Sequence, residues 1–143
     1  MGGDGKMNVF LDTNVVIDLF GERKPYYDDA TSIVEMYKQD LIHIAVSSLT
    51  IVNCAYILRK AYSEVIMLKK IKLLCDMFEI TPVDRLSILQ ATQRNNHDFE
   101  DAVQYYSSLS SQPDVIITRD KRGFERFGIN VMTPAEFIAE SRR

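Results

Sequence analysis

Three aspartates that are far apart in the chain occupy similar places in the pattern of predicted elements. Asp12 ends the apolar run of residues 8–11, and Asp120 follows the mainly apolar segment 115–119. Asp101 opens a third segment, residues 101–106, which is predicted to be helical. Short buried strands that end in an acid predict acids gathered at the carboxyl edge of a parallel sheet, where such folds bind ligands. We therefore expect the three carboxylates to lie close together.

Carboxylates held together without a counter-charge repel one another, and proton uptake or a cation relieves that repulsion. Hard divalent cations prefer sites whose ligands are all oxygen atoms. The aspartates therefore predict a site for Mg²⁺ or Mn²⁺. Asp98 lies three residues before Asp101, on the same face of the predicted helix, and adds a further carboxylate to the set.

Each of these acids also has a purely structural interpretation. Asp12 is a favoured residue type for the N-cap of a helix that begins near Thr13. Asp98 and Asp101 at the start of a helix interact favourably with the helix macrodipole. Asp120 is typical of a turn. The joint pattern, with an acid after each of two strands and a pair of acids on one helix, favours the metal-site interpretation.

Strands alternate with helices along the chain. Apolar runs predict strands at residues 8–12, 42–46, 80–83 and 114–118. Helical periodicity and capping residues predict helices at 13–20, 25–39, 48–62, 63–78, 84–94, 98–111 and 133–141. The alternation predicts an α/β fold, namely a three-layer α/β/α sandwich around a mainly parallel sheet of about four to five strands. The core-facing positions predicted for two of the helices include Val52, Tyr56, Val65, Leu68 and Cys75.

Length and composition predict a single domain over residues 7–143, preceded by a flexible leader or cloning remnant at 1–6. No apolar run reaches the ~20 residues that a membrane span needs. Cys54 and Cys75 lie in apolar helical patterns, which favours buried free thiols in a reducing cytoplasm. A formal charge of −3 argues against broad, non-specific binding of nucleic acid but leaves room for a local basic patch.

Several motifs together resemble the PIN-domain nucleases. Residues 11–15, Leu-Asp-Thr-Asn-Val, look like the opening signature of that family, and residues 98–102 and 115–120 resemble its third and fourth acidic motifs. Residues 131–137 are similar to the family's final strand and helix. The resemblance covers nearly the whole chain from Met7. It implies a PIN-like fold and metal-dependent endonucleolytic cleavage of RNA.

The resemblance also implies roles for individual residues and for partners. Asp12, Asp101 and Asp120 match the catalytic metal ligands, and Asp98 matches an auxiliary acid. Asn14 and Thr118 match polar positions that help to shape the site. Many small bacterial members are VapC-type toxins, so the implied partners are single-stranded or structured RNA, an antitoxin protein and a second copy of the chain in a homodimer.

The chain departs from the family pattern at one position. A glutamate is usual on the helix after the second strand, but the best-aligned position here is Asn53, and there is no Asp or Glu between Asp40 and Glu64. An amide offers Mg²⁺ a carbonyl oxygen without negative charge and cannot act as a base. Two outcomes follow: either metal binds more weakly and catalysis survives in reduced form, or the domain is an RNA- or protein-binding module that does not cleave.

A basic segment beside Asp120 is a candidate for binding substrate phosphates. Arg119, Lys121 and Arg122 flank the acid, and Phe124 or Phe127 is available for base stacking. The alternative is a charged surface loop whose phenylalanines turn inward.

Two other kinds of chemistry fit the sequence less well. A phosphotransfer domain also ends its first strand with an aspartate, but haloacid-dehalogenase-type phosphatases need a second Asp two residues on, where this chain has Asn14. Receiver domains need neighbouring acids and a late lysine that are not evident here. The only histidines are His43 and His97, which argues against a ribonuclease mechanism based on a histidine pair.

Overall fold

The computed structural model of the protein describes residues 3–93 and 98–143. Its five strands form one sheet in the order β3-β2-β1-β4-β5, and every neighbouring pair is parallel. The strands are β1 Met7–Leu11, β2 Ile42–Ser47, β3 Glu79–Thr81, β4 Val115–Ile117 and β5 Val131–Met132. The first strand is therefore central, and the chain reverses its direction of winding between β1 and β4, where open α/β sheets bind ligands.

Eight α-helices connect or follow the strands in the described part of the chain. They are α1 Thr13–Phe20, α2 Tyr27–Lys38, α3 Ser48–Leu58, α4 Glu64–Met77, α5 Arg85–Thr92, α6 Phe99–Ser108, α7 Arg122–Glu125 and α8 Pro134–Ser141, and a 3₁₀ turn at Leu109–Ser111 follows α6. Across the described residues, none of the helices is long and apolar enough to cross a membrane.

Alternating side chains of the strands divide the core between the two faces of the sheet. Val9 and Leu11 pack on one face with apolar residues of α1, α2, α3, α4 and α8. Phe10, between them, packs on the opposite face with Ile116 of β4 and Phe124 of α7. Because successive side chains of a strand point to opposite faces, this alternation makes three layers. The predicted α/β/α sandwich with a parallel sheet is confirmed.

The predicted order of strands and helices agrees with the structure except at the short helix α7, which the sequence did not suggest. Local side chains set several of the helix starts. The Asp12 side chain accepts a hydrogen bond from the N–H of Thr13 at the start of α1, and the Asp98 side chain caps α6 by accepting one from Asp101. Thr133 and Glu136 form a reciprocal capping box at α8.

The prediction that α3 and α4 bury the residues named above was wrong at several positions. Val52 and Tyr56 of α3 and Val65 and Leu68 of α4 are each more than half exposed, and Cys75 is also exposed. Cys54 is buried, as predicted. Apolar periodicity marks a face that avoids water in some state of the protein, but it does not say whether the same chain or another molecule covers that face.

Candidate active site

Asp12 lies directly after β1, at the centre of the carboxyl edge of the sheet. Its Oδ2 atom accepts hydrogen bonds from Thr118 Oγ1 at 2.8 Å and from Asn14 Nδ2 at 3.4 Å. Its Oδ1 atom accepts from the N–H of Thr13 at 2.8 Å and from Gln104 Nε2 at 3.3 Å. Burial raises the pKa of Asp12, although the hydrogen bonds from Thr118, Thr13 and Gln104 act in the opposite direction. The helix cap and the site residue are thus the same carboxylate.

Gln104 of α6 belongs to the site although the sequence reasoning missed it. The side chain is completely buried, and its Nε2 atom lies 2.8 Å from Thr13 Oγ1 and 2.7 Å from Thr50 Oγ1 as well as near Asp12. Its Oε1 atom accepts a hydrogen bond from Ser47. The network joins the end of β2 to the helices α1, α3 and α6. An amide in the middle of an otherwise apolar helical face is the signal that could have identified it.

The first turn of α6 brings three acids to the same edge of the sheet. Asp98 is the N-cap, and Glu100 and Asp101 are in the first turn. Burial first, and then the charges of Asp12 and Asp98, raise the pKa of Asp101 to about 7. Within the described residues, no lysine, arginine or histidine forms an ion pair with Asp12, Glu100 or Asp101. Asp12, Glu100 and Asp101 therefore have no compensating cation among those side chains, and their raised pKa values favour the protonated forms in the metal-free site.

Gly123 of α7 leaves room for the Asp101 carboxylate. A Cβ atom built on Gly123 would lie 1.7 Å from Asp101 Oδ2 and 2.7 Å from its Cγ. Any side chain at this position would displace the carboxylate, so α7 forms a wall of the site that only glycine can provide.

Two amides border the carboxylates. Asn14 connects the site to the loop after β4, because its Oδ1 atom accepts from the N–H of Arg119 at 3.2 Å while its Nδ2 atom lies 3.3 Å from Thr118 Oγ1. Asn53, on α3, donates from Nδ2 to Glu100 Oε1 at 3.3 Å. The structure therefore places both amides, and Thr118, at the predicted edge of the sheet.

Asp120 follows β4 as predicted, but its carboxylate is turned towards Arg122. The Oδ1 atom accepts from the N–H of Arg122 at 3.3 Å and lies 3.5 Å from its Nε, and the side chain is 63% exposed. Among the residues described, no three carboxylate, imidazole or thiol groups are close enough together to enclose a metal ion. The acids lie along one edge of the sheet and do not converge on one position for a metal ion.

The basic residues beside Asp120 are in three different environments. Arg119 is bound to the buried Asp18, with 2.7 Å between Nε and Oδ2, and it lies over the ring of Tyr26. Lys121 pairs with Glu136 at 3.1 Å. The side chain of Arg122 is 91% exposed. These contacts leave Arg122 as the most accessible of the three cations.

The phenylalanines proposed for base stacking, and His43, make contacts within the protein. Phe124 is completely buried on one face of the sheet, so it cannot stack on a base. The ring of Phe127 is stacked on Tyr105 with 4.1 Å between centroids. His43, in β2, lies 2.6 Å from Asp4. His97 is outside the described residues.

The donor set fits a hard divalent cation on chemical grounds. The edge offers several carboxylate oxygens, among them those of Asp12 and Asp101, which have no cationic partner among the described side chains, and Gly123 leaves room for the Asp101 carboxylate. Mg²⁺ and Mn²⁺ suit carboxylate and carbonyl oxygen ligands, whereas softer metals select thiolate or imidazole.

The fold and the carboxylates at this edge of the sheet can be compared with those of known protein families. The PIN-domain family matches residues 8–122, which is most of the chain, so the chain belongs to that family. It is similar to ribonuclease VapC1 of Aquifex aeolicus, with 28% identity over 134 residues that cover 90% of this chain and 92% of the relative. The predicted family membership is confirmed.

Solved structures share the same fold. A toxin–antitoxin complex from Klebsiella pneumoniae matches with a TM-score of 0.67 and 21% identity over 88% of this chain and 97% of that one. The toxin VapC20 of Mycobacterium tuberculosis, which cleaves the sarcin–ricin loop, matches with a TM-score of 0.66 and 12% identity over 85% and 95%. At these identities the structures demonstrate a common fold.

Proposed function

We propose that the protein is an endoribonuclease of the VapC type whose activity depends on Mg²⁺ or Mn²⁺ and that it works in the cytoplasm. The observation that carries the proposal is the pair Asp12 and Asp101, which meet at the carboxyl edge of a PIN-domain sheet with no cation among the described side chains to neutralise them. Similarity to a ribonuclease over nearly the whole length of both chains supports the choice of RNA as the substrate.

Asp12, Asp98, Asp101 and Asp120 are the residues that would hold the cation. When bound, a divalent ion supplies positive charge for the attack of water on the phosphodiester and for the oxyanions that develop. Thr118, Asn14 and Gln104 fix the orientation of Asp12 through the hydrogen bonds described above, and Gly123 leaves space for Asp101. The carboxylate of Asp120 would have to leave Arg122 to join them.

RNA would reach the site across the loop that follows β4. Arg122 is the exposed cation next to the acids, so it is the residue proposed to contact a substrate phosphate. Lys121 is a secondary candidate, because its ammonium group is paired with Glu136 at a partly exposed position. Arg119 is left out of this role because its guanidinium is bound to Asp18 and covers Tyr26.

Similarity to toxin–antitoxin complexes supports an antitoxin protein and a second copy of the chain as partners. Large apolar side chains remain exposed on α3, α4 and α5, among them Val52, Tyr56, Leu68 and Leu86. Exposed apolar side chains in this number are typical of an interface with another protein. The proposal is that this surface is covered in the assembled complex.

A second function is favoured by Asn53. The family position on α3 carries an amide here instead of a carboxylate, and an amide brings no charge to a cation. The alternative is therefore a PIN domain that binds RNA or a protein without cleaving RNA.

Cleavage of a circular single-stranded RNA separates the two functions. An endonuclease linearises the circle in the presence of Mg²⁺ or Mn²⁺, a chelator stops the reaction, and Asp101→Asn abolishes it. RNA that is bound by the folded protein but remains circular at every metal concentration would favour the binding module and overturn the nuclease proposal.

A further inference from the structure

Glu100 is an acid that the family resemblance does not assign and that the structure brings to the site. It follows the N-cap Asp98 by two residues and precedes Asp101 in the first turn of α6. The inference below rests on the proposed metal-dependent function, since it concerns the same cation.

The position of Gln104 shows which way this part of α6 faces. Gln104 contacts Asp12 at 3.3 Å from the buried side of the helix. Residues four apart on a helix lie on the same face, one turn above each other. Glu100 is therefore one turn nearer the rim than Gln104, on the side of α6 that meets α3 and Asp12.

The contact with Asn53 fixes the carboxylate at that place. Asn53 Nδ2 donates to Glu100 Oε1 at 3.3 Å, across the space between α3 and α6. The side chain at the position where the family usually has an acid thus holds the carboxylate of another helix. Glu100 is the acid that contacts this position, because α3 itself contains none.

Glu100 shares the electrostatic environment of the other acids. Although the residue as a whole is exposed, its carboxylate is partly shielded from water, and this shielding, followed by the charges of Asp12 and Asp98, raises its pKa. Replacing Glu100 by an uncharged residue would therefore remove one of the carboxylates that interact with Asp12.

We propose that Glu100 is a ligand of the divalent cation, that it supplies from α6 the carboxylate missing at position 53, and that the amide of Asn53 orients it. The substitution at position 53 is then a relocation of the acid and not its loss. A site with Asp12, Asp101 and Glu100 would have as many carboxylates as one with Asp12, Asp101 and a glutamate at position 53. Because these groups do not converge on one point among the described residues, binding of the ion would have to draw them together.

Mn²⁺ binding, measured by electron paramagnetic resonance of the free ion, tests the proposal without reference to cleavage. Glu100→Gln keeps the size of the side chain and is expected to weaken Mn²⁺ binding by about tenfold or more, on the scale of losses at metal sites. Glu125→Gln, an exposed position on α7, removes the same charge and is the matched control, which is expected to bind Mn²⁺ like the unaltered protein.

A double substitution tests the relocation itself. Asn53→Glu combined with Glu100→Asn moves the carboxylate back to α3 and exchanges the two partners of the hydrogen bond. We expect it to bind Mn²⁺ more tightly than Glu100→Gln and within a few-fold of the unaltered protein. Circular dichroism of each variant establishes that it is folded.

The outcomes separate this inference from the proposed function. If Asp101→Asn abolishes Mn²⁺ binding while Glu100→Gln binds as tightly as the unaltered protein, the role of Glu100 is overturned and the metal site stands. If the unaltered protein binds no Mn²⁺, both are overturned. Loss of binding in Glu100→Gln with recovery in the double variant is the result that supports the relocation.

Discussion

The Oδ2 atom of Asp101 occupies the space where a side chain at Gly123 would begin. A Cβ atom at position 123 would lie 1.7 Å from it, far inside van der Waals contact. Asp101 and Gly123 are distant in the sequence, but the Asp101 carboxylate fits next to residue 123 because glycine has no side chain. The short helix α7 that carries Gly123 takes part in shaping the site for this reason.

The first prediction concerns this contact. Gly123→Ala should displace Asp101 and lower the rate of RNA cleavage by about 100-fold, because shifts of ~1 Å at a reacting site have effects of that order. The fold should persist, since Asp101 is at the rim and alanine favours a helix over glycine by ~1 kcal/mol. Cleavage assays and thermal unfolding check both parts, with Glu125→Ala on the same helix as the control. Undiminished cleavage by Gly123→Ala would show that the Asp101 carboxylate is not needed where the structure places it.

The second prediction concerns the buried amide of Gln104. Gln104→Met removes the buried donor to Thr13, Thr50 and Asp12 and the acceptor of the Ser47 hydroxyl. The free energy of unfolding should fall by about 1–3 kcal/mol, and cleavage should fall with it because Asp12 loses one of its donors. Urea unfolding measures the first effect. Gln90→Met on α5 is the control, and equal stability of the two variants would contradict the proposed role of the network.

The third prediction is a pH dependence of the metal-free protein. The pKa of Asp101 is raised to about 7 in the folded state, above its value in the unfolded chain, so the folded state binds the proton more tightly. Its contribution to stability is complete below the unfolded-state pKa of ~3.9 and is lost as the pH rises towards 7, after which it stays constant. Urea unfolding at pH 5 and pH 8 without metal should show the lower stability at pH 8.

Asp101→Asn is the control for that pH dependence, because an amide does not titrate. The difference in stability between the two pH values should shrink in this variant. A difference that is equally large in Asp101→Asn would assign the effect to other groups.

The fourth prediction separates two arginines that are close together in the sequence. Arg119 binds Asp18, which is only 1% exposed and whose other cation, Arg23, lies 3.9 Å away. Arg119→Ala should therefore lower the free energy of unfolding by roughly 3 kcal/mol, at the lower end of the losses seen when a buried carboxylate loses a cationic partner. Arg122→Ala, at an exposed position, should change stability by less than about 0.5 kcal/mol but weaken RNA binding. Unfolding curves and RNA titrations of both variants decide the matter, and a stable Arg119→Ala protein would refute the structural role of that residue.

The sequence predicted the fold because its signals were local. The apolar runs at residues 8–11 and 115–117 are strands, and the residues after them, Asp12 and Thr118, do lie side by side at one edge of the sheet. The carboxyl edges of parallel strands must coincide, so the position of Asp12 followed from its place in the chain.

The parts that the sequence did not predict depend on contacts between distant elements. Glu100 was overlooked because its contact with Asn53 requires α3 and α6 to be adjacent in space. Arg119 was predicted to bind nucleic acid, but a buried partner 101 positions earlier holds its side chain. The exposed Val65 and Leu68 show that helical periodicity does not distinguish a core from a surface left for another protein.

The dependence of cleavage rate on Mn²⁺ concentration, compared between the unaltered protein and Asp101→Asn, tests the central claim most directly. If the protein is a metal-dependent nuclease, we expect the rate of cleavage of single-stranded RNA to rise with Mn²⁺ concentration and to saturate. Asp101→Asn should show no cleavage above background at any Mn²⁺ concentration. Cleavage that is equal in the two proteins, or that persists in a chelator, would contradict the claim.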